Sequence, residues 1–313
     1  MHIPFFDEVS KGNRILVAGV GGGFDIASGI PIYSHLRQQG KKVALANLSF
    51  SELAFSESEE ISPGAFLITP QSNNLPYFPE KFIVDWLAEQ NEFPEMFGFS
   101  NRLGVIPLQA AYRKIVERLD IDTLVLVDGG TDSIIFGDEP GLGTIVEDAC
   151  SMIAADKLGI QQSYLVATAF GVDHFHGVNH HAFLENVATL IRDGAYLGTF
   201  SLTKEMAEGQ AFLKLVGYMN QRLPSHQSIV ANSVASALQG EFGDHQVTRR
   251  TKNSELFINP LMGLQWTFDL HSVVSRMQFA NNFASTETME EIAKRLQLFK
   301  LQTQKRIKKE IPL

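Results

Sequence analysis

The chain of 313 residues carries a formal net charge of −9 and a sequence pI near 5.5, and 44% of its residues are hydrophobic. It can therefore fill a sizeable core, while its acidic balance opposes a phosphate backbone and excludes nucleic acid as an expected partner. No apolar run approaches the roughly 20 residues of a membrane span, and no signal peptide is recognisable, so we expect a cytoplasmic protein without a membrane partner. The lone Cys150 allows no internal disulfide, in agreement with a reducing compartment.

The first part of the chain predicts a strand–helix–strand unit. Residues 14–20 and 43–48 are predominantly apolar, which is typical of buried strands. Between them lies a helical segment that contains Tyr33 and closes at Gly40. A further short strand is predicted at residues 65–69.

The remainder continues the alternation of helices and strands. Helices are predicted at residues 80–90, 108–119, 146–158 and 179–192, and strands at residues 123–127, 163–170 and 255–259. A terminal helix starts with Thr288 and Glu291 in capping-box spacing, and the basic run at residues 305–309 is expected to end it as a solvated face. Apolar strands that alternate with helices predict a doubly wound, mostly parallel, Rossmann-like α/β sheet. We expect one domain with a core at about 12–260 and a C-terminal helical extension at about 263–313.

Four loops that follow predicted strands are expected to share one edge of this sheet. In open parallel sheets, ligands bind beyond the carboxyl ends of the strands, near the point where the strand order reverses. The loops are residues 19–25, 47–49, 128–148 and 171–176. Their shared position predicts a ligand site, to which the second loop would contribute Asn47 and Ser49.

The first loop is rich in glycine and could cradle an anion with its backbone N–H groups. The candidate residues are Gly19, Gly21, Gly22, Gly23 and Asp25. The loop departs from the dinucleotide fingerprint because Phe24 takes the place of the third glycine, Pro31 is expected to interrupt the following helix, and no acidic residue ends the second strand. NAD is therefore not an expected cofactor. Asp25 could cap the helix, hold a sugar hydroxyl or help bind a cation, and a tight turn without any ligand is the alternative.

The third loop opens an acidic run directly after a buried strand, where an unpaired carboxylate is costly. Asp128 and Asp132 are therefore candidate catalytic residues and ligands for Mg²⁺ or Mn²⁺, which bind through one or two carboxylates, water and substrate phosphate. Gly129, Gly130 and Thr131 are candidate ligand-binding residues. The alternative is an ordinary turn and helix cap followed by a surface loop. Supporting or surface roles are expected for Asp138, Glu139, Glu147 and Asp148.

Four of the nine histidines fall within eight residues at the fourth loop, namely His174, His176, His180 and His181. His174 and His176 are candidate general acids or bases, since imidazole titrates near neutral pH. Two alternatives stay open, which are a zinc site and local pairing at the surface, such as His181 with Glu185.

The same motifs resemble those of a known family. The residues that carry the likeness are 17–25, 126–133, 137–139, 147–148 and 258–262, with Trp266 and Phe268. Their order and spacing resemble domain of unknown function 1152 over nearly the whole chain, which implies a Rossmann-like cytosolic protein and no particular activity. The element Asp128-Gly-Gly is also similar to the acidic turn in the active site of D-glutamate cyclase-like proteins, but it lacks the asparagine and second acid that normally follow.

These residues favour a divalent-metal-assisted enzyme that acts on a phosphorylated or nucleotide-like small molecule at the carboxyl ends of the strands. A hydrolytic, transfer or isomerising step is compatible with the set. The alternatives are a protein that binds or senses such a molecule without turnover and, less favoured, an NAD(P)-dependent enzyme. A homo-oligomer is compatible with this fold class.

Overall fold

A nine-stranded sheet forms the centre of the computed structural model, which describes residues 2–251 and 256–312. The strands are β1 (Arg14–Gly19), β2 (Lys42–Ser49), β3 (Glu59–Ser62), β4 (Ala65–Ile68), β5 (Met96–Ser100), β6 (Thr123–Asp128), β7 (Gln162–Ala167), β8 (Tyr196–Ser201), β9 (Gly243–Asp244), β10 (Phe257–Ile258) and β11 (Leu264–Asp269). The strand order in the large sheet is β3-β4-β5-β2-β1-β6-β7-β11-β8, and β9 pairs with β10 separately.

The five central strands β5, β2, β1, β6 and β7 are parallel, whereas β4 and β11 run antiparallel to their neighbours. The strand order reverses between β1 and β6. After β1, the strands β2 and β5 are added on one side, and β6 and β7 are then added on the other side. This arrangement confirms the predicted doubly wound, mostly parallel α/β fold. It also makes the carboxyl ends of β1 and β6 the topological switch point.

Helices cover both faces of the sheet. They are α1 (Pro4–Val9), α2 (Asp25–Gln38), α3 (Pro79–Ala88), α4 (Val105–Leu119), α5 (Ile145–Asp156), α6 (His180–Arg192), α7 (Ala207–Arg222), α8 (Ile229–Gln239), α9 (Leu270–Arg276), α10 (Ala280–Phe283) and α11 (Met289–Gln302). Successive strand residues point to opposite faces, so Leu16 and Leu126 join one core while Val17 and Val127 join the other. The central strands are mostly apolar because helices cover both faces of the sheet.

Helix α2 continues through Pro31, so the prediction that this proline interrupts the helix was wrong. All residues from Ile26 to Tyr33 are buried, and the hydrophobic burial of this segment outweighs the backbone hydrogen bond that proline cannot donate. The helix lies close to the sheet at Gly29, where an added Cβ would stand 2.9 Å from Val17 Cγ1.

The C-terminal part enters the sheet before it becomes helical. Residues Leu264–Asp269 form β11 between β7 and β8, although we expected only helices after about residue 263. The strand predicted at 255–259 is reduced to Phe257–Ile258, and Glu255 lies outside the described residues. The last helix begins as predicted, because Thr288 Oγ1 accepts a hydrogen bond from Glu291 N at 3.3 Å. Within the described ranges, we find no helix that combines the length and apolar character needed to cross a membrane.

Candidate functional site

The four predicted loops meet at one edge of the sheet, since β2, β1, β6 and β7 are adjacent and parallel. Backbone hydrogen bonds connect them. Gly23 N donates to Leu48 O at 3.2 Å, which joins the first loop to the second. Thr168 N donates to Gly130 O at 2.9 Å, which joins the chain after β7 to the third loop. The predicted site residues are thus brought to the switch point of the sheet.

Three carboxylates form the centre of this edge. Asp25 starts α2, Asp128 ends β6 and Asp148 lies in the first turn of α5. One carboxylate oxygen from each residue lies within 4.8 Å of the others. Oxygens on opposite sides of a magnesium ion stand about 4.2 Å apart, so small side-chain movements would let all three contact one cation. The structure therefore groups Asp128 with Asp25 and Asp148 and leaves the predicted partner Asp132 outside this triad.

Few donors compensate the negative charge of the triad. Asp25 Oδ2 accepts a hydrogen bond from Gly21 N at 2.7 Å, and Asp128 Oδ2 accepts one from Ser133 N at 3.1 Å. Asp148 is only 2% exposed, and its Oδ1 has no hydrogen-bond partner among the described residues. A buried carboxylate oxygen without a partner is costly, so burial favours the protonated form of Asp148.

Burial dominates the electrostatics of the triad. It raises the pKa of Asp25 to about 7, against the opposing hydrogen bonds from Gly129 and Gly21. Burial also raises the pKa of Asp128 and that of Asp148 well above the usual carboxyl range, and the neighbouring carboxylates add to both shifts. Burial and mutual repulsion therefore favour the protonated forms of these carboxyl groups.

Asp132 and Asp173 form a second layer of carboxylates with their own donors. Asp132 Oδ2 accepts hydrogen bonds from Thr144 N and Thr144 Oγ1, both at 2.7 Å. Burial, followed by the charge of Asp173, raises the pKa of Asp132 to about 7. Asp173 Oδ2 accepts from Thr131 N at 2.6 Å and from Thr131 Oγ1 at 3.2 Å. Thr131 therefore fixes the fourth loop against the third.

The glycine loop is tightly packed against its neighbours. Gly22 and Gly23 have positive φ angles of 90° and 62°, and an added Cβ would stand 2.8 Å from Phe50 at the first position and 2.8 Å from Tyr77 Oη at the second. The N–H groups of Gly21 and Gly23 already donate to protein oxygens. These two amides could therefore cradle an anion only after the loop rearranges.

The side chain of Asn47 forms hydrogen bonds that stabilise the glycine loop. Its Nδ2 donates to Gly23 O at 2.8 Å and to Glu80 Oε1 at 2.7 Å. Glu80 is fully buried, and burial raises its pKa to about 7. Ser49 is fully buried at the end of the same strand, and its hydroxyl accepts a hydrogen bond from Ser51 N at 3.1 Å. Asn47 thus holds the glycine loop in place and Ser49 stabilises the turn after its own strand, while Glu80 was not recognised from the sequence.

The histidines line the outside of the fourth loop. His176 is exposed, and its Nδ1 stands 4.0 Å from Asp173 Oδ1, a contact that raises the pKa of His176. His174 is also exposed and stacks near His180, with 5.2 Å between the ring centroids. Burial lowers the pKa of His180, and the charge of His174 adds to this effect. Of the residues described, no histidine joins two further metal-binding side chains, so the zinc alternative gains no support.

Two arginines that the sequence did not single out face this loop. Arg249 and Arg250 line a cavity of about 310 Å³ together with Asp173 and His176. Neither arginine forms an ion pair in the described parts of the chain. Cationic side chains that could contact an anionic ligand thus line the same cavity as Asp173.

Arg306 forms ion pairs with three acidic residues that lie outside the triad. Its guanidinium forms ion pairs with Asp138 at 3.0 Å, with Glu139 at 2.8 Å and with Glu185 at 2.7 Å. The expectation of a solvated basic run was therefore wrong for Arg306, and Glu185 pairs with this arginine rather than with His181. Glu139 is 1% exposed and also accepts from the backbone N of Phe136 at 2.7 Å, so it supports the loop after β6 as predicted.

Comparison with known proteins supports the predicted family. The chain belongs to the family described as protein of unknown function DUF1152, whose model matches residues 16–311. Searches of curated proteins and of solved structures gave no match. The family match confirms the resemblance seen in the sequence, and it assigns no activity.

Proposed function

We propose that the protein is a divalent-metal-assisted enzyme that acts on a phosphorylated or nucleotide-like small molecule. Asp25, Asp128 and Asp148 would hold Mg²⁺ or Mn²⁺, with the remaining coordination positions left to water and substrate oxygens. The observation that carries this proposal is the buried Asp148 Oδ1, which has no partner in the described chain and lies beside two further carboxylates. A cation would satisfy this oxygen and offset the repulsion within the triad.

The cationic side chains beside the triad support an anionic substrate. Arg249, Arg250 and His176 line one cavity together with Asp173, whose charge also acts on Asp25 and Asp128 of the triad. A phosphate group placed there could contact the cation on one side and a guanidinium on the other. The anion would then bind mainly at the arginines, while the glycine loop orients Asp25 through Gly21 N.

His176 is suited to transfer a proton in this arrangement. Its Nδ1 faces Asp173, which favours the tautomer with the proton on Nδ1 and leaves Nε2 for the substrate. Because the pKa of His176 is raised, a larger share of the imidazole is protonated near neutral pH and available as a general acid. This role fits hydrolysis, group transfer and isomerisation equally.

Thermal melting of the whole protein at pH 8 with Mg²⁺, Mn²⁺ or Zn²⁺ tests the metal site. A cation at about 100 times its Kd stabilises the folded state by about 2.7 kcal/mol, which corresponds to a Tm increase of about 5 °C. Asp128→Asn should remove the increase, whereas Asp120→Asn should keep it because Asp120 is an exposed partner of Arg14. An unchanged Tm at millimolar metal in the wild-type protein, with and without phosphate esters, would refute the proposal.

A protein that binds its ligand without turnover is the second candidate, because the same site geometry serves recognition. The Asp128→Asn variant separates the two functions. An enzyme would lose turnover while retaining part of its affinity for a phosphate ester, whereas a binding protein would show no reaction in either form. The measurement is a product assay on phosphate esters, together with calorimetry on both proteins.

A further inference from the structure

A second cavity of about 860 Å³ adjoins the site and differs from it in chemistry. Aromatic and aliphatic side chains form most of its wall, including Phe170, Phe242, Phe257 and Leu261. Several of these are unusually exposed, with 70% of Phe242 and 55% of Phe257 in contact with solvent. Large apolar side chains gathered around a cavity are typical of a binding site, because an apolar ligand removes their surface from water.

The two cavities share a wall. Val172, Phe175 and Leu256 line both the apolar cavity and the smaller cavity that holds Arg249 and Arg250. A single molecule could therefore place a charged end beside the arginines and its body among the phenylalanines. Phe175, which is 74% exposed, lies at the junction and could close over such a ligand.

The apolar cavity offers few partners for a nucleobase, whose ring edges carry several donors and acceptors. The Asn259 side chain is already engaged, since its Nδ2 donates to Phe257 O at 3.0 Å and its Oδ1 accepts from Leu261 N at 3.0 Å. The other polar side chains of the lining are His174 and His180, and His180 Nε2 is buried and forms no hydrogen bond of normal geometry in the described chain. A base placed here would have unpaired polar groups, and these reduce affinity strongly.

We infer that the ligand is an organic phosphate with an apolar carbon body, which binds in the cavity between the 170–180 loop and residues 256–261. This inference rests on the proposed function for the phosphate end of the ligand. The argument for the apolar end of the ligand depends only on the cavity. The cavity favours such amphipathic phosphates over nucleotides. The phosphate lies beside Arg249 and Arg250 in the cavity that Asp173 also lines, and its ester oxygen points toward the apolar cavity that holds the carbon body.

Calorimetry on the whole metal-free protein tests the inference with hexyl, octyl and decyl phosphate below their micelle concentrations, with decanol, inorganic phosphate and AMP for comparison. Each methylene that becomes buried should raise the affinity about fourfold until the cavity is full. Decyl phosphate should bind at least tenfold tighter than inorganic phosphate or AMP. An affinity independent of chain length, or tighter binding of AMP, would overturn the inference.

Three substitutions test where the ligand binds. Leu261→Trp fills the cavity and should weaken decyl phosphate at least tenfold, whereas Leu298→Trp changes an exposed leucine on α11 that does not line the cavity, and should have no effect. Arg250→Gln should remove most of the preference for decyl phosphate over decanol. Equal effects of the two tryptophan variants would refute the cavity as the binding site.

The apolar cavity and the metal site can be tested independently of each other. Decanol binding that is weakened by Leu261→Trp confirms the apolar cavity as a binding site. If Mg²⁺ and Mn²⁺ leave the Tm unchanged in the same protein, only the proposed metal-dependent function is refuted. A Tm increase with metal but no binding of decanol or any alkyl phosphate refutes the inference alone.

Discussion

Asp25 and Asp148 meet across Gly21. A Cβ added at Gly21 would stand 2.7 Å from Asp25 Oδ2 and 2.8 Å from Asp148 Oδ1. Gly21 also donates its N–H to Asp25 Oδ2 at 2.7 Å, so the first loop holds one carboxylate and leaves space for the other. The glycine is required here by the close approach of two charged groups.

Gly21→Ala should therefore separate the two carboxylates and abolish the Tm increase with Mg²⁺ or Mn²⁺. The methyl group needs space that both oxygens occupy, and moving Asp25 breaks its bond to the Gly21 amide. Gly217→Ala is the matched control, because it lies within α7 with no atom within 4 Å of the added Cβ, and it should stabilise the protein by about 0.5 to 1 kcal/mol. A normal metal response in Gly21→Ala would contradict the assigned geometry.

Glu80→Gln should change the stability in a way that depends on pH. Because burial raises the pKa of Glu80 from 4.5 to about 7, the folded protein keeps this proton over a range in which the unfolded chain has lost it. The contribution to the free energy of unfolding therefore falls as the pH rises from about 4.5 to 7, at up to about 1.4 kcal/mol per pH unit. Glutamine stays neutral and removes this dependence.

Urea denaturation of wild type and Glu80→Gln at pH 5 and pH 8 measures the effect. The variant should be close to wild type at pH 5 and more stable than wild type at pH 8. Glu290→Gln provides the control, since Glu290 is an exposed helix residue. The same difference between wild type and Glu80→Gln at both pH values would exclude a protonated Glu80.

Asp173→Asn should lower the pKa of His176 toward the ordinary value of about 6.5, because the carboxylate contact that raises it is lost. Histidine ring signals followed by NMR during a pH titration measure this shift. His271 is the internal reference, since its pKa is raised by Asp156 elsewhere on the surface and should stay constant. If the titration of His176 does not move, Asp173 is not its partner.

Arg306→Ala should destabilise the protein by about 2 to 3 kcal/mol, because it leaves the buried Glu139 carboxylate without its cation. Lysine at this position keeps the charge but not the forked geometry, so Arg306→Lys should lose an intermediate amount. Arg102→Ala, which breaks the exposed pair with Glu52, should cost less than about 1 kcal/mol in the same urea experiment. Equal losses for Arg102→Ala and Arg306→Ala would argue against a structural role for Arg306.

The parallel core of the fold could be predicted because its signals are local. Residues 15–20, 43–46 and 124–127 are apolar throughout, which is typical of strands that are buried on both faces of the sheet. Strand β11 also carries a local signal, the alternation of Leu264, Trp266 and Phe268 with polar residues. The sequence analysis nevertheless predicts a helical extension from about residue 263, whereas pairing with β7 and β8 makes residues 264–269 a strand.

The sequence predicted site residues only where a charged side chain lies in a loop directly after a strand. Asp128 stood out because it ends β6, and Asp25 because it follows the glycines. Asp148 carries no such signal, since an acidic residue in the first turn of a helix is common and only the packing of α5 brings it to Asp25. Arg250 lies 77 residues beyond Asp173 in the chain, and no sequence pattern connects the two.

Strand β11 has a consequence for synthesis of the chain. Strand β8 joins the sheet only through β11, which pairs with β7 on its other side. A nascent chain that has emerged as far as residue 250 thus contains β7 and β8 but not the strand between them. The edge of β7 then has unpaired backbone groups, which are prone to pair with other chains. We expect the sheet to be completed only when the last fifth of the sequence has been translated. Ribosome-bound chains that stop before residue 264 should therefore need a chaperone.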